Sequence, residues 1–150
     1  MLSTHISHQI YAKLSFEATF NQKKIIVQLS AWAADDDFSR IFLLNGYAGT
    51  GKTTIIAAFV AALKELGIKP ILLAPTGRAA KVLARYSNES AYTIHKKIYR
   101  ERSIADYEAR FSLDFNKERG AIFIVDEASM LSANASEGAT FGSGNLLEDL

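Results

Sequence analysis

Apolar positions along this chain follow two rhythms: helical spacing in some stretches and short continuous runs in others. Residues 4–18 have weak amphipathic character and read as a short helix. Thr19-Phe20-Asn21-Gln22 reads as a capping box, with Thr19 at the N-cap and Gln22 three residues on. Ile25, Ile26, Leu29, Trp32 and Ala33 follow at helical spacing, which makes Trp32 part of a core stripe, and Asp35-Asp36-Asp37 ends that helix in a polar turn. Arg40-Ile41-Phe42-Leu43-Leu44 is a short apolar run with glycine-rich sequence behind it, as expected of a buried parallel strand. Lys52 to Leu66 reads as a helix stopped by Gly67. Pro70-Ile71-Leu72-Leu73-Ala74 reads as the next buried strand, with Pro70 tolerated at its start.

Further on, Gly77 to Tyr86 reads as a helix and Ser87-Asn88-Glu89-Ser90 as a break, with a short helix expected over Tyr92 to Tyr99. Residues 100–119 are charged with scattered aromatics and read as a surface excursion. Ala121-Ile122-Phe123-Ile124-Val125 is the strongest strand pattern in the chain. Residues 132–144, rich in Ser, Ala, Gly and Asn, read as a mobile loop, and Leu146 to Leu150 starts something helical. Strands alternating with helices give an α/β fold, with a mainly parallel sheet, right-handed crossovers and helices on both faces.

Composition adds exclusions. The 150 residues suit one ordinary domain, and 49% hydrophobic with 22% charged residues argues against a disordered chain. The absence of Cys excludes a disulfide scaffold, a Cys-based zinc site and a thiol nucleophile. It also fits the reducing cytoplasm, which is the expected location. Met1-Leu2-Ser3-Thr4-His5 has no basic region followed by an apolar stretch, so no signal peptide is expected. The longest strongly apolar run, Ile55 to Leu63, is far too short for a membrane span. His5 and His8 lie at i, i+3, but no third ligand is near them in sequence and no metal role is expected.

The net charge of +1 hides an asymmetry. Residues 78–119 carry ten basic and six acidic side chains, whereas residues 120–150 carry five acids and no Lys or Arg. The middle third is therefore where a polyanion partner would bind, and the acidic end is a candidate metal or interface region.

Gly46-Tyr47-Ala48-Gly49-Thr50-Gly51-Lys52-Thr53 matches the eight-position P-loop pattern in full, between a strand pattern and a helix pattern. Gly46, Gly49 and Gly51 permit a backbone curl whose N–H groups point at phosphate oxygens, and the following helix adds its positive dipole end. Lys52 reaches the β/γ-phosphates of ATP as a mobile charge, the Thr53 hydroxyl is a ligand for Mg2+, and Thr54 is placed to touch the α-phosphate. Asp126-Glu127 follows the strand at 121–125, the Walker B arrangement, in which the acid holds Mg2+. Glu127 is then placed to orient or deprotonate an attacking water, which favours hydrolysis over transfer to a second small substrate.

A third group lies in the basic middle third. A helix opening at Thr76-Gly77 after Ala74-Pro75 offers free N–H groups and a hydroxyl to a phosphate, and Arg78, Lys81 and Arg85 share one helical face. Thr93-Ile94-His95-Lys96-Lys97 adds a second basic cluster. These read as a track for single-stranded nucleic acid, with Tyr86, Tyr92, Tyr99 and His95 as candidate stacking groups, or else as a solvated helix face with core tyrosines.

With these motifs in order, the sequence resembles the first RecA-like motor domain of superfamily one DNA helicases, in particular the RecD-like group. Gly46 to Thr54 resembles helicase motif I, Leu73 to Ala80 motif Ia, Thr93-Ile94-His95 a DNA-contacting motif, and Ile124 to Met130 motif II. The resemblance spans roughly residues 15–131. It implies a RecA-like P-loop NTPase fold, Lys52, Asp126 and Glu127 as catalytic groups, and Gly46, Gly49, Thr50, Gly51, Lys52, Thr53 and Thr54 around ATP. It also implies Gln22 reading adenine, and Pro75, Thr76, Gly77, Arg78 and His95 on single-stranded DNA. Ala18 stands where the family has Pro.

The resemblance further implies a second motor domain carrying arginines that complete the ATP site. The expectation is therefore an N-terminal extension at 1–18, a first motor domain at 19–150 truncated after motif II, and a C-terminal motor domain missing from this chain. A chain in that condition is expected to bind nucleotide, hydrolyse it very slowly and unwind no duplex. Two alternatives stand beside the motor: another P-loop NTPase such as a small-molecule kinase, or a truncated nucleotide-binding scaffold without catalysis. The absence of Lys and Arg from residues 132–150 counts against a basic phosphate lid there.

Overall fold

The computed structural model describes residues 1–37, 39–101, 111–131 and 141–150. It divides into two compact units, Met1–Pro70 with Tyr86–Asn88, and Ile71–Arg85 with Glu89–Leu150.

The first unit is built on three helices: α1 (Leu2–Lys13), α2 (Phe20–Ala33) and α3 (Lys52–Glu65). Helix α1 packs against both α2 and α3. Its Ile6 and Ile10 are fully buried, as are Ile26 of α2 and Val60 and Leu63 of α3. Each such side chain withdrawn from water contributes about 1.5–3 kcal/mol before entropy is counted. An ion pair joins Lys13 to Glu65.

The helix ends follow from local chemistry. The capping box at α2 forms: the Thr19 hydroxyl accepts the Gln22 N–H, and the Gln22 Oε1 accepts the Thr19 N–H at 2.9 Å. Helix α3 ends in a Schellman motif, with Gly67 at φ +72°, its N–H bonded to the Lys64 carbonyl and the Ile68 N–H bonded to the Leu63 carbonyl.

Residues 40–44 correct an expectation. They form no strand, and they alternate between outward Ile41 and Leu43 and half-buried Phe42 and Leu44. Ile41 is 89% and Leu43 76% exposed. The run has the apolarity of a buried strand, but the unit around it is made of helices, so no ladder partner is available there. What holds it is Trp32: the indole N–H donates to the Arg40 carbonyl at 3.2 Å, and the Trp32 and Phe42 rings lie 5.9 Å apart. Trp32 is accordingly half-buried beside this segment rather than sealed in the core.

The second unit contains a three-stranded parallel sheet, order β2-β1-β5, from β1 (Pro70–Ala74, its first residue in the first unit), β2 (Ala91–Thr93) and β5 (Ile122–Val125). Helix α4 (Gly77–Ser87) connects β1 to β2, which pair in parallel with Ala74 opposite Thr93. The helix expected over Tyr92–Tyr99 is shorter. Tyr92 and Thr93 belong to β2, and Thr93 then caps α5 (Ile94–Ile98) by accepting the Lys96 N–H. An antiparallel pair, β3 (Tyr99–Glu101) and β4 (Phe111–Leu113), lies in the surface excursion, and the residues between these strands fall outside the described part.

The loop expected at 132–144 is described only from Phe141 onward. A short helix, α6 (Leu146–Asp149), capped by Asn145, ends the chain. Ile71, Leu73 and Ile94 form a buried cluster, with Phe123, Val125 and Leu146 among the half-buried residues against it. No described helix is long and apolar enough to cross a membrane.

Candidate functional site

The glycine-rich loop lies wholly in the first unit. It leaves the extended segment at Asn45, turns through Gly49 at φ +80° and Gly51 at φ +85°, and enters α3 at Lys52 with Gly51 as the N-cap. A side chain bearing a Cβ adopts that left-handed geometry at a cost, so glycine is favoured at Gly51 on conformation alone. Space imposes the same demand: a Cβ there would meet the Gln22 Nε2 at 2.6 Å.

The loop is internally bonded. The Lys52 ammonium donates to the Gly46 carbonyl and, at 2.7 Å, to the Tyr47 carbonyl. The Thr50 hydroxyl also donates to the Tyr47 carbonyl, at 2.8 Å. Gln22 reaches the loop from α2, its Nε2 donating to the Thr50 carbonyl at 3.3 Å. Thr53 and Thr54 are exposed in the first turn of α3, beside N–H groups that a helix leaves without intrahelical partners. Gln22, Gly46, Thr50, Gly51 and Lys52 thus share one small region, which Tyr47 joins through its carbonyl. The sequence pattern left Tyr47 as a wildcard, because a carbonyl acceptor carries no side-chain signature.

The acidic pair and the basic cluster lie in the second unit. Asp126 follows β5, and its N–H donates to the Leu73 carbonyl of β1 at 3.0 Å. Its carboxylate accepts the Glu127 N–H at 3.0 Å. Glu127 is exposed and has φ +55°, a left-handed conformation uncommon for a residue with a side chain. Strain of that kind recurs at functional sites.

Beta strand β1 runs out into Pro75, Thr76, Gly77 and Arg78, and the Thr76 hydroxyl caps α4 by accepting the Ala79 N–H at 3.2 Å. Arg78, Lys81 and Arg85 are exposed along α4. At the end of β2, His95 opens α5. Asp126, Thr76, Arg78 and His95 therefore collect at the carboxyl edge of one parallel sheet, where open α/β folds bind ligands.

His95 is half-buried, with Phe141 edge-on at 5.0 Å and Tyr99 at 5.6 Å. Phe141 in turn stacks on Phe111 at 4.5 Å. Tyr99 is buried and presents no open face, whereas Tyr86 and Tyr92 are exposed. Lys96 and Lys97 sit 6.0 and 5.8 Å from the Tyr92 ring centre. Of the ring partners of His95, Tyr99 is four residues on, whereas Phe141 is 46 residues on, beyond the reach of any local pattern.

The Thr53 hydroxyl, in the first unit, and the Asp126 carboxylate, in the second, are both oxygen donors. No group of three or more His, Asp or Glu able to hold a metal occurs among the described residues. Such sparse oxygen donors suit Mg2+, which keeps water and phosphate oxygens as its other ligands.

A P-loop of full pattern opening a helix, in a chain with a parallel β-α-β sheet, defines an α/β domain of the P-loop NTPase class. The chain belongs to the AAA domain family, whose model matches residues 22–139. It is similar to an uncharacterized protein of Methanocaldococcus jannaschii, 36% identical over 104 residues that make up 62% of this chain and 9% of that protein. It is similar to the ATP-dependent DNA helicase dda of Enterobacteria phage T4, 38% identical over 94 residues, 58% of this chain and 20% of that one. The ATP-dependent RecD2 DNA helicase of Deinococcus radiodurans matches at 39% over 57 residues, 38% of this chain and 8% of the relative. In these stretches the chain is thus similar to ATP-dependent DNA helicases, the resemblance that its motifs implied. It spans a fifth or less of each of these relatives.

Proposed function

We propose that this chain is the ATP-binding part of a DNA helicase motor, within a longer protein that couples ATP hydrolysis to movement on single-stranded DNA. Residues 19–150 make up the first motor domain in this reading. The observation that carries it is the Gly46–Thr53 loop, already curled through two left-handed glycines with Lys52 folded onto it. A charged ammonium resting on neutral carbonyls has a stronger partner in phosphate oxygens, because charge-assisted hydrogen bonds are roughly twice as strong as neutral ones.

Lys52 and the loop amides hold the triphosphate. Thr53, through its hydroxyl, and Asp126, through its carboxylate, are the residues that would hold Mg2+, which when bound would neutralise charge developing on the phosphates. Glu127 orients the attacking water and accepts its proton. Thr76, Gly77 and Arg78 bind the phosphate backbone of the single strand, with Pro75 shaping the turn and His95 beside them. A calorimetric titration of the chain with ATP and Mg2+ tests this reading, and saturable 1:1 binding that Lys52→Ala weakens is the expected result. Absence of binding to the wild-type chain would overturn it.

A further inference from the structure

We propose that Phe141 is a positioning residue for nucleic-acid binding, holding the His95 ring in place at the carboxyl edge of the parallel sheet. The inference rests on the reading of Thr76, Arg78 and His95 as a contact for single-stranded DNA and deepens it. Phe141 lies beyond the residues that the family model matches.

His95 stands on α5, next to the fully buried Ile94 that anchors the helix. The backbone is thereby placed, but the imidazole still has two torsions to settle. No hydrogen bond settles them among the described residues. Two aromatic rings do. Tyr99 lies 5.6 Å away, and Phe141 meets the imidazole at 5.0 Å with the planes 75° apart, the edge-to-face arrangement that aromatic pairs favour. The imidazole is half-buried, so part of it stays open to a passing strand.

Phe141 can hold another ring because it is itself held on several sides. Its ring stacks on Phe111 at 4.5 Å and lies 5.4 Å from Tyr99. Its backbone bridges to Phe111, and the Gly142 N–H donates to the Phe111 carbonyl at 2.9 Å. Gly142 then lies so close to Tyr99 and Asp149 that a Cβ would collide with both. Asp149 accepts from the Tyr99 hydroxyl and the Ser143 N–H. Together these residues form a braced wall whose face toward His95 is Phe141. A side chain ordered in this way has already lost its rotamer freedom on folding, so a bound strand need not order it again.

The test uses the full 150-residue chain and a fluorescein-labelled oligothymidylate, read by anisotropy. Phe141→Leu keeps an apolar side chain and removes the ring. It is expected to weaken binding about twofold to tenfold, the range one aromatic pair commands. Phe141→Tyr keeps the ring and should bind as the wild type does. In a His95→Ala background Phe141→Leu should cost nothing further, because its effect runs through the imidazole. A merely structural role would instead weaken both backgrounds alike, and that additive result overturns the inference.

Unchanged affinity under Phe141→Leu also overturns it, as does loss of affinity under Phe141→Tyr. Should Phe141→Leu lose its cooperative melt, the wild-type chain still decides. Cross-relaxation between the His95 and Phe141 ring protons must persist at saturating oligothymidylate, and its disappearance overturns the inference. Failure of the wild-type chain to bind the oligothymidylate, or indifference to His95→Ala, sinks the reading of His95 as a strand contact, and this inference with it.

Discussion

The Lys52 ammonium lies 2.7 Å from the Tyr47 carbonyl, five residues back along its own loop. The group expected to hold phosphate is therefore positioned by the backbone that will surround the phosphate. Lys52→Ala removes the charge and these tethers together. Its expected effect is a loss of nucleotide affinity of about 10–100-fold, the range for a hydrogen bond to a charged group, measurable by calorimetry. The melting temperature should stay within about 2 °C, because the ammonium is not in the packed core.

Gly51→Ala meets two obstacles, a left-handed φ and a contact with the Gln22 side chain. A destabilisation of about 1–3 kcal/mol is expected in denaturant melts. The part due to Gln22 can be separated from the part due to the backbone. In a Gln22→Ala background the steric share disappears and only the conformational cost remains, so the two changes should fall short of additive.

The opposite sign is expected at Ser30. Its side chain is fully buried in α2, and its hydroxyl has no hydrogen-bond partner among the described residues. Ser30→Ala removes an unsatisfied polar atom and raises helix propensity. Unfolding free energy should increase by about 0.5–1.5 kcal/mol in urea melts.

Tyr99 donates its hydroxyl to Asp149, which also accepts from Ser143. Burial works against the charge of Asp149, but the bonds from Tyr99 and Ser143 outweigh it and hold the carboxyl below its usual range. The Asp149 contribution is therefore present above the ordinary carboxylate pKa of about 4 and is lost as pH falls below it. Tyr99 is shifted upward by burial first and then by Asp149. Its contribution is complete below the ordinary tyrosine pKa of about 10 and fades as pH rises further. Stability measured against pH should fall at both extremes, and Tyr99→Phe should flatten both limbs.

Arg78 and His95 separate two kinds of residue in the basic cluster. Arg78 is exposed on α4, so Arg78→Ala should leave the melting temperature unchanged. If it meets a phosphate of single-stranded DNA, the substitution lowers the log-log salt slope of binding by about 0.7, as read by fluorescence anisotropy. His95 packs against Tyr99 and Phe141. His95→Ala should lower the melting temperature before any effect on DNA is counted.

These residues also mark how far the sequence could be read. The capping box at Thr19, the stop at Gly67 and the runs at 70–74 and 121–125 are local signals, and each element formed where its signal lay, β5 starting one residue later than its run. The run at 40–44 carried the same apolar signature but became no strand, because a strand depends on partners that no local pattern contains. The P-loop glycines were legible by spacing, as was Asp126 after its strand. The internal bonds of the site were not: Lys52 on the Tyr47 carbonyl depends on a backbone oxygen. The surroundings of His95 were hidden as well, since Phe141 reaches it from 46 residues downstream.

The extended stretch before the P-loop has a practical consequence. Ile41 and Leu43 turn outward from a backbone that joins no ladder among the described residues. Bare amide edges beside protruding aliphatic groups act as an adhesive strip. In concentrated solution this chain is expected to stick to itself there, and replacing both aliphatic residues with lysine should disperse it.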